Sequence, residues 1–591
     1  PTANGTPGIH HVLARVFKDV IPRYKTMQGF RPFRKGGWDT HGLPVEIEVE
    51  KQLGITTKGE IEDYGIAKFN ALCRESVMRY VKEWEELTER IGFWIDMDNA
   101  YITFDNKYIQ SAWWIIKELW DKNLVYQGFK VTPHCPRCVT SLSSHEVSLG
   151  YREDTEDPSV FVRFPISHDQ DNALEAVQAM ELDKPSWNNV TASVLAWTTT
   201  PWTLTANVAL AVAPEEEYAL VLSPDRSERL LLAKPLIKTV LGEGWIIQAS
   251  FKGIELQGLR YDPPFNNAVE HGGQPYYHRV LPANHVGIED GTGVVHTAPA
   301  YGAEDQELGR TFNLPTIHAV DLQGNVEGDY PGSGKFVKEA DADILADLAK
   351  RNLLYRQETI LHTYPFCWRC GTPLLYYAKP SWYIRTTEYK DQLVATNGDI
   401  NWHPEHIQQG RFGEWLRNNV DWAVSRERYW GTPLPVWRCE SCGNDECFGN
   451  LDTLYNRADD DTKGSLSTGV LDLHRPYIDE VTITCKCGST MYRVPEVLDC
   501  WFDSGAMPYA QFNVTSNSDP IFTEGQFPAD YICEAVDQTR GWFYSLHALA
   551  VLLRDKPSYR NVICLGLILD DQGEKMSRTK GNIVEPWSVI N

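Results

Sequence analysis

The stretch "DYICEAVDQTRGWFYSLHALAVLL" (residues 530–553), followed by "NVICLGLIL" (561–569), decides the fold. With "VLDCWFDSG" (497–505) ahead of them, the three segments read as strand, helix, strand. Short apolar runs between turn residues suit buried strands, and parallel strands need a crossover helix. Further back, Ile9, Val12, Leu13, Val16, Phe17, Val20 and Ile21 fall at helical spacing. Residues 54–92 and 106–123 also read as helices, the second rich in Trp. From about 155 to 345 short β-branched segments such as "ASVLAW", "YALVLS" and "GTGVVHTA" alternate with Gly/Pro turns. Trp-rich chain returns over 356–437, and 438–495 is a Cys-bearing insert with the polar loop "NRADDDTKGS". This order predicts a parallel α/β domain split by insertions, the first of them mostly β.

At 591 residues the chain is too long for one core and suggests three or four domains. No run of about 18 apolar residues occurs, so no membrane span is expected, and the polar start is not a signal peptide. The chain begins at Pro1 and breaks off in "VEPWSVIN", which reads as a fragment. A net charge of -24 argues against a general nucleic-acid binder, although local basic patches can still hold RNA. With no secretory signal, the cysteines read as reduced thiols in the cytoplasm.

Most of the 13 cysteines come in tight pairs. Cys135 and Cys138 ("HCPRCVTSL") and Cys367 and Cys370 ("FCWRCGTPL") lie in turns and together supply four thiolates for one tetrahedral zinc. Cys439 and Cys442 ("RCESCG") with Cys485 and Cys487 ("TCKCG") make a second set, for which Cys447 could compete. Redox pairs or unrelated buried thiols are the alternatives. Cys73, Cys500, Cys533 and Cys564 stand in apolar surroundings and read as core.

Two further features stand at opposite ends of the chain. "GTPGIHHVL" (5–13) puts His10 and His11 at a helix start, where free N–H groups and the helix dipole favour anions. "EKMSRTKGN" (574–582) puts Lys575, Met576, Ser577 and Arg578 in a basic loop after the apolar strand "CLGLIL". Either alone is weak; together they suit a triphosphate.

On these residues the sequence resembles class I aminoacyl-tRNA synthetases, most closely the branch handling isoleucine, along essentially all 591 residues. The family's second signature, Lys-Met-Ser-Lys-Ser, stands here as Lys575-Met576-Ser577-Arg578-Thr579. Between the signatures, "GGWDTHGLPVE" (36–46), "WAVSRERYWG" (422–431) and "LDCWFDSG" (498–505) extend the match. The first signature departs: where the family has His-Ile-Gly-His, this chain has Gly8-Ile9-His10-His11. His10 is expected to crowd the adenine, with Gly8 supplying backbone freedom just there. An active enzyme with a reshaped nucleotide corner, binding adenylate mimics such as mupirocin poorly, is one reading; an inactive paralogue that binds RNA or nucleotide is another.

The resemblance implies a split Rossmann-type catalytic domain with a β-rich editing insert and two zinc-knuckle inserts. It divides the chain into 1–150, 151–355 (editing), 356–437, 438–495 (zinc insert) and 496–591. The implied function is isoleucine–tRNA ligase: ATP, with Mg²⁺, activates L-isoleucine to the adenylate, which then charges tRNA(Ile). The sister valine enzyme is the alternative. His10, His11, Lys575 and Arg578 would stabilise the transferring phosphate, and Gly8, Ile9, Glu534, Gln538, Met576 and Ser577 would bound the adenylate. Asp39 would hold the substrate ammonium, with Trp501 and Trp542 walling the side chain; core packing is the other explanation for those tryptophans. Glu534, Gln538 and Trp542, at i, i+4, i+8, are expected on one helix face. Isoleucine and valine differ by one methylene, worth about 1–3 kcal/mol, a figure already established for this very pair of amino acids in such enzymes. A hydrolytic site is therefore expected in the β insert, from Thr198, Thr199, Thr200, His296 and Asp305. A monomer is expected, and tRNA charging is expected to need a helical anticodon-binding domain beyond this chain.

Overall fold

The computed structural model describes residues 6–167, 179–180, 190–265, 277–467, 471–522, 525–574, 576, 582 and 584–591. Strand Ile532–Ala535 runs parallel to Asn561–Leu565, which runs parallel to Asn401–His403. Helix Trp542–Arg554 crosses between the first two, its apolar residues buried from Phe543 to Leu553. A second parallel pair, Lys35–Trp38 with Asp96–Ile102, lies earlier in the chain. The parallel α/β architecture expected from the quoted stretch is present, but its parts are distributed differently. The strand is the head of the stretch expected to be wholly helix. "VLDCWFDSG" contributes only the short strand Val497–Leu498, and then becomes helix Cys500–Ala510. The reason is Asp499, whose side chain accepts from the Trp501 backbone N–H and caps that helix.

The single helix expected over 54–92 is likewise broken. Gly54 (φ 69°) ends helix Leu43–Leu53, Thr57 and Glu60 form the capping box of Lys58–Tyr64, and Gly65 (φ 102°) precedes Ile66–Arg90. The expected helices near 9–21 and 106–123 are Ile9–Met27 and Asn106–Asp121. "NRADDDTKGS" is not a loop. It covers the end of helix Leu451–Arg457 and most of Asp460–Ser467. Asp460 and Asp461 suit the positive end of the second helix, and Asp459 accepts from the Thr482 and Thr484 hydroxyls.

The β-rich segment enters along Tyr151–Pro165 and leaves along Leu354–Pro365, which pair antiparallel from Leu354 opposite Val162 to Pro365 opposite Tyr151. Between them a large mixed sheet includes Thr191–Thr198, Glu217–Leu222 and Val294–Thr297, around a core including Val194, Leu210, Leu220, Leu231 and Val280. Just outside, Val125–Cys135 and Leu375–Ile384 pair antiparallel along their lengths. That ladder brings "HCPRC" and "FCWRC" to one end. A further four-stranded antiparallel sheet, with its own core including Trp437, Leu473 and Met491, carries the other cysteines.

The motif "WAVSRERYWG" braces these pieces. Arg428 is buried between Glu46 and Glu50 of helix Leu43–Leu53, 2.6 Å from Glu50 Oε1, and donates to the Cys138 carbonyl at 2.9 Å. Glu46 Oε1 accepts the Tyr429 and Trp430 backbone N–H groups at 2.9 and 2.6 Å. Arg426 is buried against Glu146 and lies 2.8 Å from Asp499, the cap of helix Cys500–Ala510. Replacing Arg428 with Met would leave buried Glu46 without its cation and Glu50 with only Arg137, 2.9 Å from its Oε2. Arg428→Met is expected to lower unfolding stability by about 3–5 kcal/mol, read from the urea midpoint.

Candidate active site

Helix Ile9–Met27 starts at Gly8 (φ -101°, ψ 170°), an extended conformation open to any residue. The expectation that Gly8 supplies special backbone freedom is therefore corrected: its contribution is space. A side chain at position 8 would meet His10 Cε1 at 2.8 Å and Nδ1 at 3.0 Å. The glycine makes room for the imidazole two residues on. His11 Nδ1 accepts from the Gly8 backbone N–H at 2.9 Å, so its proton resides on Nε2 and that edge remains a donor. The His11 ring packs edge-on against Trp84 at 4.6 Å and beside His10 at 3.8 Å.

Asp39 follows strand Lys35–Trp38 directly. Its Oδ2 accepts from Ser504 Oγ at 2.8 Å, and its Oδ1 is buried without a partner. Burial raises its pKa to about 6, opposed chiefly by Ser504. The neighbouring Asp503 holds His41 Nδ1 at 2.8 Å, and His41 Nε2 lies 2.8 Å from His474 of the cysteine insert. Trp542 Nε1 donates to the Ser504 carbonyl at 2.9 Å. Ser504 thus joins Asp39 to Trp542, a link the sequence motif carried without assigning it a role.

Glu534, Gln538 and Trp542 do not share a helix face. Glu534 lies in strand Ile532–Ala535, Gln538 in the 3₁₀ turn Val536–Arg540, and Trp542 opens the next helix. Gly541 (φ -151°, ψ -116°) separates turn from helix. Glu534 pairs with Lys18 of helix Ile9–Met27, and Gln538 Oε1 accepts from the Trp542 backbone N–H at 3.1 Å. Lys575, Ser577 and Arg578 lie outside the described residues; Met576 is described, its backbone N–H donating to the Ile568 carbonyl at 3.4 Å.

A cavity of about 200 Å³ lies in the β insert and is lined by Thr198, Thr199, Thr200, His296 and Asp305 together with Trp197, Thr203 and Tyr301. Thr203 Oγ1 lies 2.8 Å from His296 Nε2 and 3.1 Å from Thr200 Oγ1, which is 3.3 Å from Thr198 Oγ1. Burial pushes His296 down to about 4, a neutral ring, and Asp305 up to about 6. Asp305 Oδ2 accepts the Ala298 backbone N–H at 2.9 Å. Thr203 was not singled out from sequence; the signal was Pro201, which starts the 3₁₀ turn Pro201–Ala206 and folds Thr203 back under Thr200. Gly291 (φ 66°) lets the backbone pass Trp197, whose ring would lie 2.7 Å from any Cβ there.

Both four-cysteine sets close. The sulfurs of Cys135, Cys138, Cys367 and Cys370 lie within 4.8 Å of one another, as do those of Cys439, Cys442, Cys485 and Cys487. Four thiols at this spacing fit a tetrahedral zinc, which would cross-link each knuckle. Cys447 belongs to neither set and is buried in the hydrophobic cluster that includes Trp114, Trp382 and Leu549. Cys73, Cys533 and Cys564 are buried as expected, while Cys500 is only partly so.

Parallel strands split by insertions, a helix start bearing paired imidazoles, two thiol clusters and a β insert with its own pocket define the chain's architecture. The chain belongs to the tRNA synthetases class I (I, L, M and V), whose family model matches residues 1–591. It is similar to the Isoleucine--tRNA ligase of Dehalococcoides mccartyi (strain CBDB1), at 56% identity over 100% of this chain and 59% of that protein. Those of Thermus thermophilus and Thermobifida fusca are 52% and 50% identical, each over 100% of this chain and 54% of the relative. The chain therefore spans a little over half the length of these curated relatives. Among the described residues no helix is long and apolar enough to cross a membrane.

The purified protein is expected to hold two zinc ions per chain. A chelator should take the ion at Cys439/Cys442/Cys485/Cys487 first, because Cys442 and Cys487 are exposed whereas the other set is largely buried. Colorimetric zinc release should be biphasic, and Cys442→Ser should remove the fast phase alone.

Proposed function

We propose that this chain carries the catalytic and editing parts of an isoleucine–tRNA ligase. The observation that carries the reading is 50–56% identity to isoleucine enzymes along the whole chain, supported by the hydrogen bonds through Ser504 that join Asp39 to Trp542. Asp39 Oδ1 takes the substrate ammonium, for which its burial without a partner leaves it suited. The isoleucine carboxylate oxygen attacks the α-phosphorus of ATP, the bond to the β-phosphate oxygen breaks, and pyrophosphate leaves. No protein nucleophile is needed; orientation and charge stabilisation carry the step. His11 Nε2–H and His10 face the phosphates at the helix start, with Lys575 and Arg578 as cations, while Glu534 and Gln538 bound the adenylate. A ribose hydroxyl of the terminal adenosine of tRNA(Ile) then attacks the carbonyl, and AMP leaves.

The Gly8–His10 pair is a compensated change in this reading. Glycine has moved to the position from which a side chain would collide with His10, so two imidazoles are retained at a reshaped corner. The finer placements are part of the same proposal: 1–150, 356–437 and 496–591 as the catalytic domain, 151–355 as the editing domain, 438–495 as the zinc insert, and the cytoplasm as location. In the editing pocket Asp305 binds the ammonium of a misattached valine. Thr198, Thr199 and Thr200 place the ester and a water, and His296, held by Thr203, fills the space an isoleucine side chain would need.

The first test is amino-acid-dependent ATP–pyrophosphate exchange on the full-length protein. Exchange should favour isoleucine over valine by about 10–200-fold in kcat/KM, a range already established for this discrimination. Mupirocin should inhibit less well than it does a variant rebuilt to His-Ile-Gly-His. Absent exchange with either amino acid identifies an inactive paralogue, and valine preference identifies the sister enzyme. Editing has its own readout. Asp305 must be ionised to hold an ammonium, and its pKa is raised to about 6. Hydrolysis of preformed Val-tRNA(Ile) should therefore decline as pH falls through about 6, and Asp305→Asn should be slow and flat across that range.

A further inference from the structure

The first thiol cluster reaches into the amino-acid pocket. Between Cys367 and Cys370 stand Trp368 and Arg369. Trp368 packs on Trp501, with ring centroids 6.2 Å apart and planes tilted by 31°. The guanidinium carbon of Arg369 sits 3.2 Å from the Trp368 centroid. Trp501 is backed by His145, edge-on at 5.9 Å, and by Gly541, where a side chain would meet the indole at 2.9 Å. Trp368 Nε1, Arg369 Nε, Trp501 Nε1 and Asp39 Oδ1 are all buried without a hydrogen-bond partner.

Such a gathering of orphaned polar atoms is unusual, because buried donors and acceptors are nearly always paired. Arg369 is the most telling. Its guanidinium stays protonated, and no ion pair to it exists among the described residues. Arg369 is half-buried, and its guanidinium fork meets no carboxylate among the described residues, so the fork can take one from a ligand. A free amino acid brings one: it is a zwitterion, and Asp39 can engage only its ammonium.

We propose that Trp368 and Arg369 complete the amino-acid site, Arg369 pairing with the α-carboxylate of the free substrate and Trp368 extending the apolar wall begun by Trp501. The inference rests on the amino-acid-activating function proposed above. It also assigns Arg369 to a particular stage. The carboxylate loses its charge when it becomes the acyl part of the adenylate, so the pairing belongs to the ground state. Its removal should raise KM for the amino acid and raise kcat in parallel, leaving kcat/KM within about twofold.

The test compares an amino acid with its alcohol. L-isoleucinol keeps the ammonium and side chain of L-isoleucine and lacks the carboxylate. Both are titrated calorimetrically into the zinc-loaded full-length protein and its Arg369→Gln, Arg369→Lys and Trp368→Ala variants. Arg369→Gln should weaken isoleucine at least tenfold and isoleucinol less than twofold, with Arg369→Lys in between. Trp368→Ala should weaken both ligands equally. An Arg369→Gln variant that loses both ligands alike, as a knuckle that has merely lost its zinc would, overturns the assignment; so does one that binds isoleucine normally. Trp368→Ala without effect overturns the Trp368 half. A wild type that takes valine and valinol in place of the isoleucine pair overturns the choice of side chain, and the same acid-to-alcohol ratio then judges Arg369. Binding of no amino acid overturns both readings.

Discussion

Two guanidiniums, buried two residues apart, tie together chain segments separated by hundreds of residues. Arg428 neutralises Glu46 and Glu50 and grips the Cys138 carbonyl. Arg426 neutralises Glu146 and Asp499. Through them the segment 425–430 reaches the helix after Asp39, the first thiol turn and the cap of the helix bearing Trp501. An enzyme assembled from halves interrupted by insertions cannot rely on sequence-local contacts to align its site. Buried ion pairs are weak sources of net stability, but an unsatisfied buried charge is so unfavourable that alternative registers are disfavoured. That selectivity is what a split site requires.

The architecture was largely legible because each layer leaves a separate trace: apolar runs for parallel strands, β-branched runs with turns for the insert, cysteine spacing for the knuckles. The errors were local. Periodicity placed Glu534, Gln538 and Trp542 on one helix, since i, i+4, i+8 spacing cannot reveal that Gly541 breaks the chain between them. "VLDCWFDSG" read as strand because its apolar residues hid an N-cap at Asp499. At the sites, lining residues were legible where a motif named them, and partners such as Ser504 and Thr203 were not. Their roles come from what they touch across the fold, and the one local mark, Pro201 ahead of Thr203, sets a turn without naming the partner.

In the proposed function the two sites solve one recognition problem by the same means. Asp39 and Asp305 are each a carboxylate whose pKa burial raises to about 6, and each is steadied by a single strong donor, Ser504 Oγ or the Ala298 N–H. Each retains capacity for an ammonium that water would otherwise solvate. The rest of each pocket differs as its reaction does. One collects imidazoles and indoles around a helix start, and the other a chain of hydroxyls against a neutral imidazole.

The strands by which the β insert leaves and rejoins the body are partners in one ladder, with Pro365 opposite Tyr151 at its foot. A chain that departs and returns through neighbouring residues adds no net displacement to its host. The host can therefore close over the gap with a short turn, and the insert can grow, shrink or diversify as a separate module without moving the atoms that activate the amino acid. If the insert proofreads, as proposed, that function is topologically an appendage whose stringency can be retuned while the body stays where it was.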